Sequence, residues 1–233
     1  MNKLSLISFA AALAATSACS VMEPIDSKTY DLAGFDSVSA SHGVNVRLKQ
    51  GPFSVSAEGP RSKLNRLIIE RRGSELSIRR EPTLSWVSSF QTDIVTVVAP
   101  AYSSIEASGG ADVDGDDLQL ADIKIDTSGG ADLNLSGVCK TLTMETSGGA
   151  DFNARDLTCE TATVSASGGA DVAVTVTGNA SGHGSGGADI VFYGVTGTAV
   201  GEASSGADIR FHGNPAAVQR DESSGGDVEV SGD

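Results

Sequence analysis

The sequence predicts an all-β fold, a single-chain β-solenoid with about 19 residues in each coil. Two observations carry this prediction. A five-residue segment returns along the second half of the chain, and its closing aspartates are 20, 19, 20, 18, 19 and 19 residues apart. Between its copies, apolar and polar residues alternate with the period of β-strands. A fixed period of this size is typical of a solenoid, because a single coil cannot bury its own apolar face.

The returning segment, Ser-Gly-Gly-Ala-Asp, is expected to form a corner in each coil. Its glycines tolerate backbone angles that other residues avoid, which suits a sharp corner. Five copies are identical and two have diverged. The copies are Ser108–Asp112, Ser128–Asp132, Ser147–Asp151, Ser167–Asp171, Ser185–Asp189, Ser204–Asp208 and Ser223–Asp227. Each coil should therefore consist of a few short strands that meet at such a corner.

The residues before and after each corner fall into columns that should face the core. Side chains alternate across a strand, so residues between these columns, such as Lys124, should point outward. The inward columns are Ile123, Leu142 and Ala162; Ile125, Met144 and Val164; Thr127, Thr146 and Ala166; and Val113, Leu133, Phe152, Val172 and Ile190. In later coils the second column holds Gly182, Gly201 and finally Arg220. Residues 218–222 are therefore expected to form a polar terminal coil that closes the stack.

Residues 1–18 are predicted to be a signal peptide. The mostly apolar run from Leu4 to Ala15 is too short for a membrane span, which needs about 20 residues. The small residues before Cys19 resemble the lipobox of bacterial lipoproteins, in which this cysteine would become the lipidated N-terminus. In the lipoproteins that the segment resembles, a residue such as Ser20 in the next position goes with the outer membrane. Cleavage after Ala18 without lipidation is the alternative.

A tether over residues 19–34 should lead into the solenoid domain, residues 35–233. Its first part, residues 35–103, is expected to form irregular capping coils before the repeats of residues 104–233. Alternating segments predict strands at 44–48, 53–57, 64–69, 76–78 and 94–98. The insertion between Pro82 and Asp93 contains Trp86 and Phe90. These aromatic side chains are expected to cover the open end of the core, and anchoring of a ligand is the alternative.

Charge and composition argue against two classes of function. The formal net charge is −14, and residues 101–233 carry 21 acidic and 5 basic residues, whereas a nucleic-acid-binding face is basic. His42, His183 and His212 occur singly, and the sequence has no Gly-x-Ser-x-Gly turn and no phosphate-binding loop. The chain is therefore predicted to bind no nucleic acid and to be no enzyme. A polysaccharide-cleaving β-helix, with clustered Asp, Arg or Lys in a groove, is the catalytic alternative.

Two cysteines are predicted to form a disulfide. Cys139 and Cys159 each stand eight residues before a corner serine, so they occupy the same place on adjacent coils. Their Cα atoms should then be about 5 Å apart, which is within the range that a disulfide requires. An exported chain meets an oxidising compartment. A buried pair of free thiols is the alternative.

The corner aspartates should stack in a ladder, in which carboxylates about 4.8 Å apart repel one another. One explanation is that each carboxylate accepts hydrogen bonds from backbone N–H groups at its own corner. The other is a column of cations, above all Ca²⁺, which takes about six to eight oxygen ligands where each corner offers one carboxylate. The first explanation is preferred, so no metal or cofactor is predicted, and weak cation binding is the alternative. The ladder is Asp112, Asp132, Asp151, Asp171, Asp189, Asp208 and Asp227.

Several segments together resemble the putative auto-transporter adhesin, head GIN domain family. They are Phe35-Asp36-Ser37-Val38, Gly43-Val44-Asn45-Val46, Gln50-Gly51, the repeated corners, Phe192-Tyr193-Gly194 and Phe211-His212-Gly213-Asn214-Pro215. The resemblance covers about residues 35–230 and implies a parallel β-helix-like solenoid on a bacterial envelope protein. The corner departs from the family's commoner Gly-Ser-Gly-Asp, so no ligand shared at the corner is implied.

Two functional hypotheses follow from these observations. In the first, the protein is a non-catalytic, adhesin-like module of the cell envelope whose regular flank binds a glycan, a protein or another copy of itself. In the second, it is a structural lipoprotein of the periplasm or outer membrane without an external ligand. Both expect an exported protein that meets the membrane through its N-terminal lipid.

Overall fold

The computed structural model describes residues 23–82 and 92–232. They form an 18-stranded sheet wound into a β-solenoid of about 7 turns with ~19 residues per coil, which confirms the predicted fold class. The strands are β1 (Ile25–Tyr30), β2 (Ser37–Ser41), β3 (Asn45–Gln50), β4 (Ser54–Pro60), β5 (Leu67–Arg72), β6 (Glu75–Arg80), β7 (Ile94–Ala99), β8 (Ser104–Ser108), β9 (Asp112–Ser128), β10 (Asp132–Ser147), β11 (Asp151–Ser167), β12 (Asp171–Val176), β13 (Ala180–Ser185), β14 (Asp189–Val195), β15 (Thr198–Ser204), β16 (Asp208–Gly213), β17 (Ala217–Ser223) and β18 (Asp227–Ser231). A short helix, α1 (Arg61–Leu64), precedes β5. The predicted signal peptide, Cys19, Trp86 and Phe90 lie outside the described residues.

The stack contains a further corner, Ser41–Asn45, that the sequence repeat does not reveal. It joins β2 to β3, which pair in parallel with β8 and β9. The Gly43 N–H donates to the carbonyl of Gly109 (3.1 Å), and the Asp112 N–H donates to the carbonyl of Val44 (2.9 Å). The segment Gly43-Val44-Asn45 is therefore a diverged copy of the corner that follows it in the stack.

Antiparallel strands close the N-terminal end of the stack. β6 and β7 form the outermost coil, in parallel register with β2 and β3. β5 pairs antiparallel with β6, β4 pairs antiparallel with β7, and β1 pairs with β4. The first strand, β1, thus lies within the tether expected over residues 19–34. The strand expected at 64–69 begins instead at Leu67, after the helix.

The predicted inward columns form part of a continuous core that also includes residues of the N-terminal strands. The strand register places the members of each column opposite one another on adjacent coils and buries them. In later coils, Phe192 and Phe211 stack with their ring centroids 5.0 Å apart. A Cβ atom on Gly182 would lie 3.0 Å from the Phe192 ring, and one on Gly201 would lie 3.2 Å from the Phe211 ring. The glycines in this column therefore make room for the two aromatic rings.

The last coil is polar, as the sequence predicts. Every residue of β17 is exposed, and Val218 retains 40% of its accessible surface. The Glu222 carboxylate accepts a hydrogen bond from the Val228 N–H at 3.1 Å, across the end of the core. Charged side chains at a terminal strand oppose pairing with another chain. None of the described residues belongs to a helix long and apolar enough to cross a membrane.

Candidate functional site

An open groove of about 840 Å³ runs along one side of the stack, beside the corners. Two rows of residues line it, each with one member from each of the seven coils that carry a corner serine. The serine row is Ser108, Ser128, Ser147, Ser167, Ser185, Ser204 and Ser223. The acidic row, two residues earlier in each coil, is Glu106, Asp126, Glu145, Ser165, His183, Glu202 and Asp221. Coils spaced about 4.8 Å apart give these rows a length of roughly 29 Å.

Strand geometry explains why both rows face outward. Their members are two residues apart, so they lie on the same face of each strand, and the residue between them points inward. Among these inward residues, Thr127 and Thr146 are buried and their hydroxyl groups hydrogen-bond to each other at 2.7 Å. The acidic row is not among the functional residues that the sequence predicts. Its constant offset from the corner serines is the signal that identifies it.

The groove carries a negative electrostatic potential. Glu106, Asp126 and Glu145 are adjacent in the strand register. The Lys124 ammonium lies 3.1 Å from the Asp126 carboxylate. The pKa of Lys124 is raised by its hydrogen bond to Asp126 and by the charges of Asp126, Glu145 and Glu106. The surface therefore stabilises an ammonium group.

His183 is the one member of the acidic row that is a base. Its Nδ1 atom lies 3.0 Å from the Glu202 carboxylate, and its Nε2 atom lies 3.4 Å from the Ser181 hydroxyl. Serine hydrolases activate their nucleophile by the same order of groups, in which a serine hydroxyl contacts a histidine and the histidine contacts a carboxylate. Hydrolysis also needs N–H donors that stabilise the oxyanion. β13 is paired on both sides, with β11 and β15, so its backbone N–H groups are used within the sheet. The arrangement therefore supports a hydrogen-bonded surface group rather than a nucleophile.

The corner aspartates stand in register along the neighbouring edge of the stack, each opposite the next from Asp112 to Asp227. Their side chains differ from the expectation that each accepts hydrogen bonds at its own corner. Within the described part of the chain, no corner N–H donates to these carboxylates. Each aspartate begins a strand between two inward residues, so its side chain points outward. Its backbone N–H instead bonds the adjacent coil, as from Asp132 to the carbonyl of Ala111 (3.0 Å).

Two carboxyl groups of the ladder have a raised pKa, and repulsion from neighbouring aspartates contributes to it. Burial raises the pKa of Asp112, and the neighbouring Asp132 and Asp114 raise it further. Burial likewise raises the pKa of Asp171, with added repulsion from the corner aspartates on both sides. At the far end, Arg210 offsets the charge through contacts of 2.8 Å with Asp208 and 3.5 Å with Asp189.

Each coil contributes a single carboxylate to the aspartate ladder. Across residues 23–82 and 92–232, no group of three or more His, Cys, Asp or Glu side chains is arranged to hold a metal ion. Ca²⁺ takes about six to eight oxygen ligands, which one outward carboxylate per coil does not supply. The Ca²⁺ column therefore gains no support from this geometry.

We expect Asp171→Asn to stabilise the protein slightly at pH 7. A pKa raised in the folded state means that folding favours the protonated carboxyl. That contribution is complete below the ordinary pKa of about 3.9 and is lost as the pH rises through the raised value. Urea unfolding should show a gain of less than about 1 kcal/mol at pH 7 and none at pH 3. Asp122→Asn, an exposed aspartate outside the ladder, is the control. A loss of stability at pH 7 would contradict this account.

The structure joins Cys139 and Cys159 in a disulfide. The two residues are opposite each other in the register of β10 and β11, with their Cα atoms 4.4 Å apart. Both side chains face the core, in a column with Leu120 and Val176. Their exposed fractions are 5% and 0%. Equal places on adjacent coils thus bring the sulfur atoms together, as the spacing predicts.

Comparison with known proteins gives one family and several related folds. The putative auto-transporter adhesin, head GIN domain family matches residues 34–196. A solved structure of a putative adhesin from Bacteroides fragilis has a TM-score of 0.64 and 15% identity, and the match covers 89% of this chain and 97% of that one. A putative adhesin from Parabacteroides merdae has a TM-score of 0.60 and 18% identity, and the match covers 89% of this chain and 96% of that one. A putative adhesin from Parabacteroides distasonis has a TM-score of 0.57 and 16% identity, and the match covers 90% of this chain and 98% of that one.

No curated protein gives a significant match. At these identities, the solved structures show a shared fold. The family match carries the assignment, because it spans well over half of the chain and includes both the further corner at β2 and β3 and most of the repeats. The chain therefore belongs to the putative auto-transporter adhesin, head GIN domain family.

Proposed function

We propose that this protein is a non-catalytic, adhesin-like module of the bacterial cell envelope, and that the groove is its binding surface. The groove carries the proposal, because it repeats a serine hydroxyl on seven successive coils and a carboxylate on five of them. Solenoids commonly use such extended surfaces for binding. Family membership and the solved putative adhesins agree with this role.

We further propose that a lipid on Cys19 anchors the protein at its capped end. The described chain begins at Glu23, next to the antiparallel cap, and Glu23 accepts a hydrogen bond from the Ser62 N–H at 2.8 Å. Four residues of extended chain reach about 14 Å at most. A lipid on Cys19 would therefore hold the cap near the membrane and leave the groove to extend away from it.

The experiment that tests this function is antibody labelling of the folded domain on intact and permeabilised cells. A cell-surface adhesin should be labelled on intact cells, with a periplasmic protein as the negative control. Labelling only after permeabilisation would instead support a structural envelope lipoprotein. Mass spectrometry of the mature N-terminal peptide should find an acylated Cys19. An unmodified thiol there would contradict the anchor and leave export untouched.

A further inference from the structure

We infer that the groove binds a linear polysaccharide with free amino groups, laid along the solenoid axis with one sugar unit at each coil. This inference rests on the proposed function and names the ligand class for the same surface. Three features of the groove carry it: the groups that it presents, its charge and its repeat distance.

The groove presents what a sugar with an amino group needs. On most coils, one hydroxyl from the serine row and one carboxylate from the acidic row stand side by side. Carboxylates accept hydrogen bonds from sugar hydroxyls, and a charge-assisted bond to an ammonium group is stronger than a neutral one. A sugar unit at each of these five coils would therefore meet one hydroxyl and one carboxylate.

The charge of the acidic row favours a cationic ligand. Lys124 already places an ammonium 3.1 Å from Asp126, in the field of Glu106 and Glu145. Glu106 and Glu145 make no ion pair or hydrogen bond of their own within the described residues, so both can accept a ligand amine. Asp221 has no such partner there either, and Glu202 contacts His183. Polymers of uronic acids would be repelled by the same carboxylates and by the net charge of −14.

The repeat distance favours a polysaccharide over a basic peptide. Coils follow one another at about 4.8 Å, whereas side chains on one face of an extended peptide recur at about 6.6–6.8 Å and would fall out of phase. A pyranose unit of an extended polysaccharide advances by a distance close to the coil spacing. A bound peptide strand also needs an unpaired sheet edge. The strands under the groove are paired on both sides from β9 to β15.

Calorimetric titration of the mature protein with glucosamine oligomers of two to ten units tests the inference. Affinity should rise with each added unit up to about seven, the number of coils that line the groove, and then level off. Glu145→Lys in the groove should weaken binding of the seven-unit oligomer about tenfold or more, the loss expected for one charge-assisted bond. Glu160→Lys makes the same charge change at an exposed position outside the groove and should leave binding within about twofold.

Three further measurements distinguish specific binding from general attraction to an acidic protein. Ser165→Trp, at the fourth coil of the groove, should abolish the advantage of seven units over three and leave the three-unit oligomer bound. N-acetylated oligomers should bind more weakly than the free amines, and a uronic-acid polymer should not bind.

Several results would overturn the inference. One is an equal loss of oligomer affinity in Glu145→Lys and Glu160→Lys, and another is an affinity that keeps rising for oligomers longer than the groove. The inference would also fail if the acetylated oligomer bound as tightly as the free amine, or if a lysine-rich peptide bound more tightly than the glucosamine oligomer. The two proposals fail separately. A protein that is labelled on intact cells but binds no amino sugar would refute the ligand class alone. A protein that binds the oligomers but is not labelled would refute the surface role.

Discussion

Replacing Asp93 with alanine should destabilise the protein by about 3–5 kcal/mol, because the change leaves a buried guanidinium without its counter-charge. Arg80 at the end of β6 and Asp93 just before β7 form an ion pair in the outermost coil. The Arg80 Nη2 atom lies 2.9 Å and 3.0 Å from the two carboxylate oxygens. Their side chains are 11% exposed for Arg80 and 1% exposed for Asp93.

The surroundings of this pair explain why its loss should be costly. Arg80 also donates to the carbonyl of Gly43, in the corner of the next coil, at 3.2 Å. Asn45 donates to the Asp93 carbonyl at 3.0 Å. The pair therefore ties the outermost coil to the corner of the coil beneath it.

Urea unfolding followed by far-ultraviolet circular dichroism measures the effect. Asp26→Ala breaks the exposed pair between Asp26 and Arg61, whose side chains are 46% and 72% exposed, and should cost far less stability than Asp93→Ala. The double variant Arg80→Met/Asp93→Leu should recover most of the loss, because it removes both buried charges together. If Asp93→Ala and Asp26→Ala lowered the free energy of unfolding by similar amounts, the buried pair would stabilise the protein no more than the exposed pair does.

The repetitive half of the fold was predictable because each coil repeats the constraints of the one before it. Once the corner fixes the register, an apolar residue such as Ile125 lies opposite Met144, and the column continues through Val164. The strands are longer than expected in three coils: β9, β10 and β11 run for 16 or 17 residues. They bend through irregular pairing near Gly137 instead of breaking into separate strands.

The N-terminal cap was less predictable, because backbone pairing and polar contacts form it. β1 has only exposed and half-buried residues, so it has no apolar periodicity for a sequence pattern to detect. Its position depends on the edge of β4 and on contacts such as Asp26 with Arg61 at 3.1 Å. The order of the coils is equally hidden. β2 and β3 lie between two coils that follow them in the chain, β6 with β7 and β8 with β9.

In the candidate site too, the register of the residues was predictable from the sequence and their polar contacts were not. The repeat predicts which residues share a column, and so it places the corner aspartates and serines correctly in register. It does not predict where the side chains find partners. The carboxylate of Asp132 points outward, while the amides of the corner bond adjacent coils. The corner aspartates do not line the groove, whose two rows lie on the strands that end at each corner serine.

Reducing the disulfide between Cys139 and Cys159 should destabilise the protein by about 3 kcal/mol. The bond closes a loop with a sequence separation of 20. In the chain-entropy description, a cross-link across a loop of this size stabilises by about that amount, because it restricts the unfolded chain. The bond also lies within the core column between Leu120 and Val176, so the folded state accommodates it without exposing either sulfur.

Urea unfolding of the exported protein with and without dithiothreitol tests this prediction. Reductant should shift the unfolding midpoint of the wild type and leave that of Cys139→Val/Cys159→Val unchanged, since the double variant has no bond to lose. Thiol titration gives an independent reading. An exported Cys19→Ser variant, unfolded without reductant, should show no reactive thiol. Two thiols would mean that the cysteines fill the column as a reduced pair, and the stability of these coils would then come from packing alone.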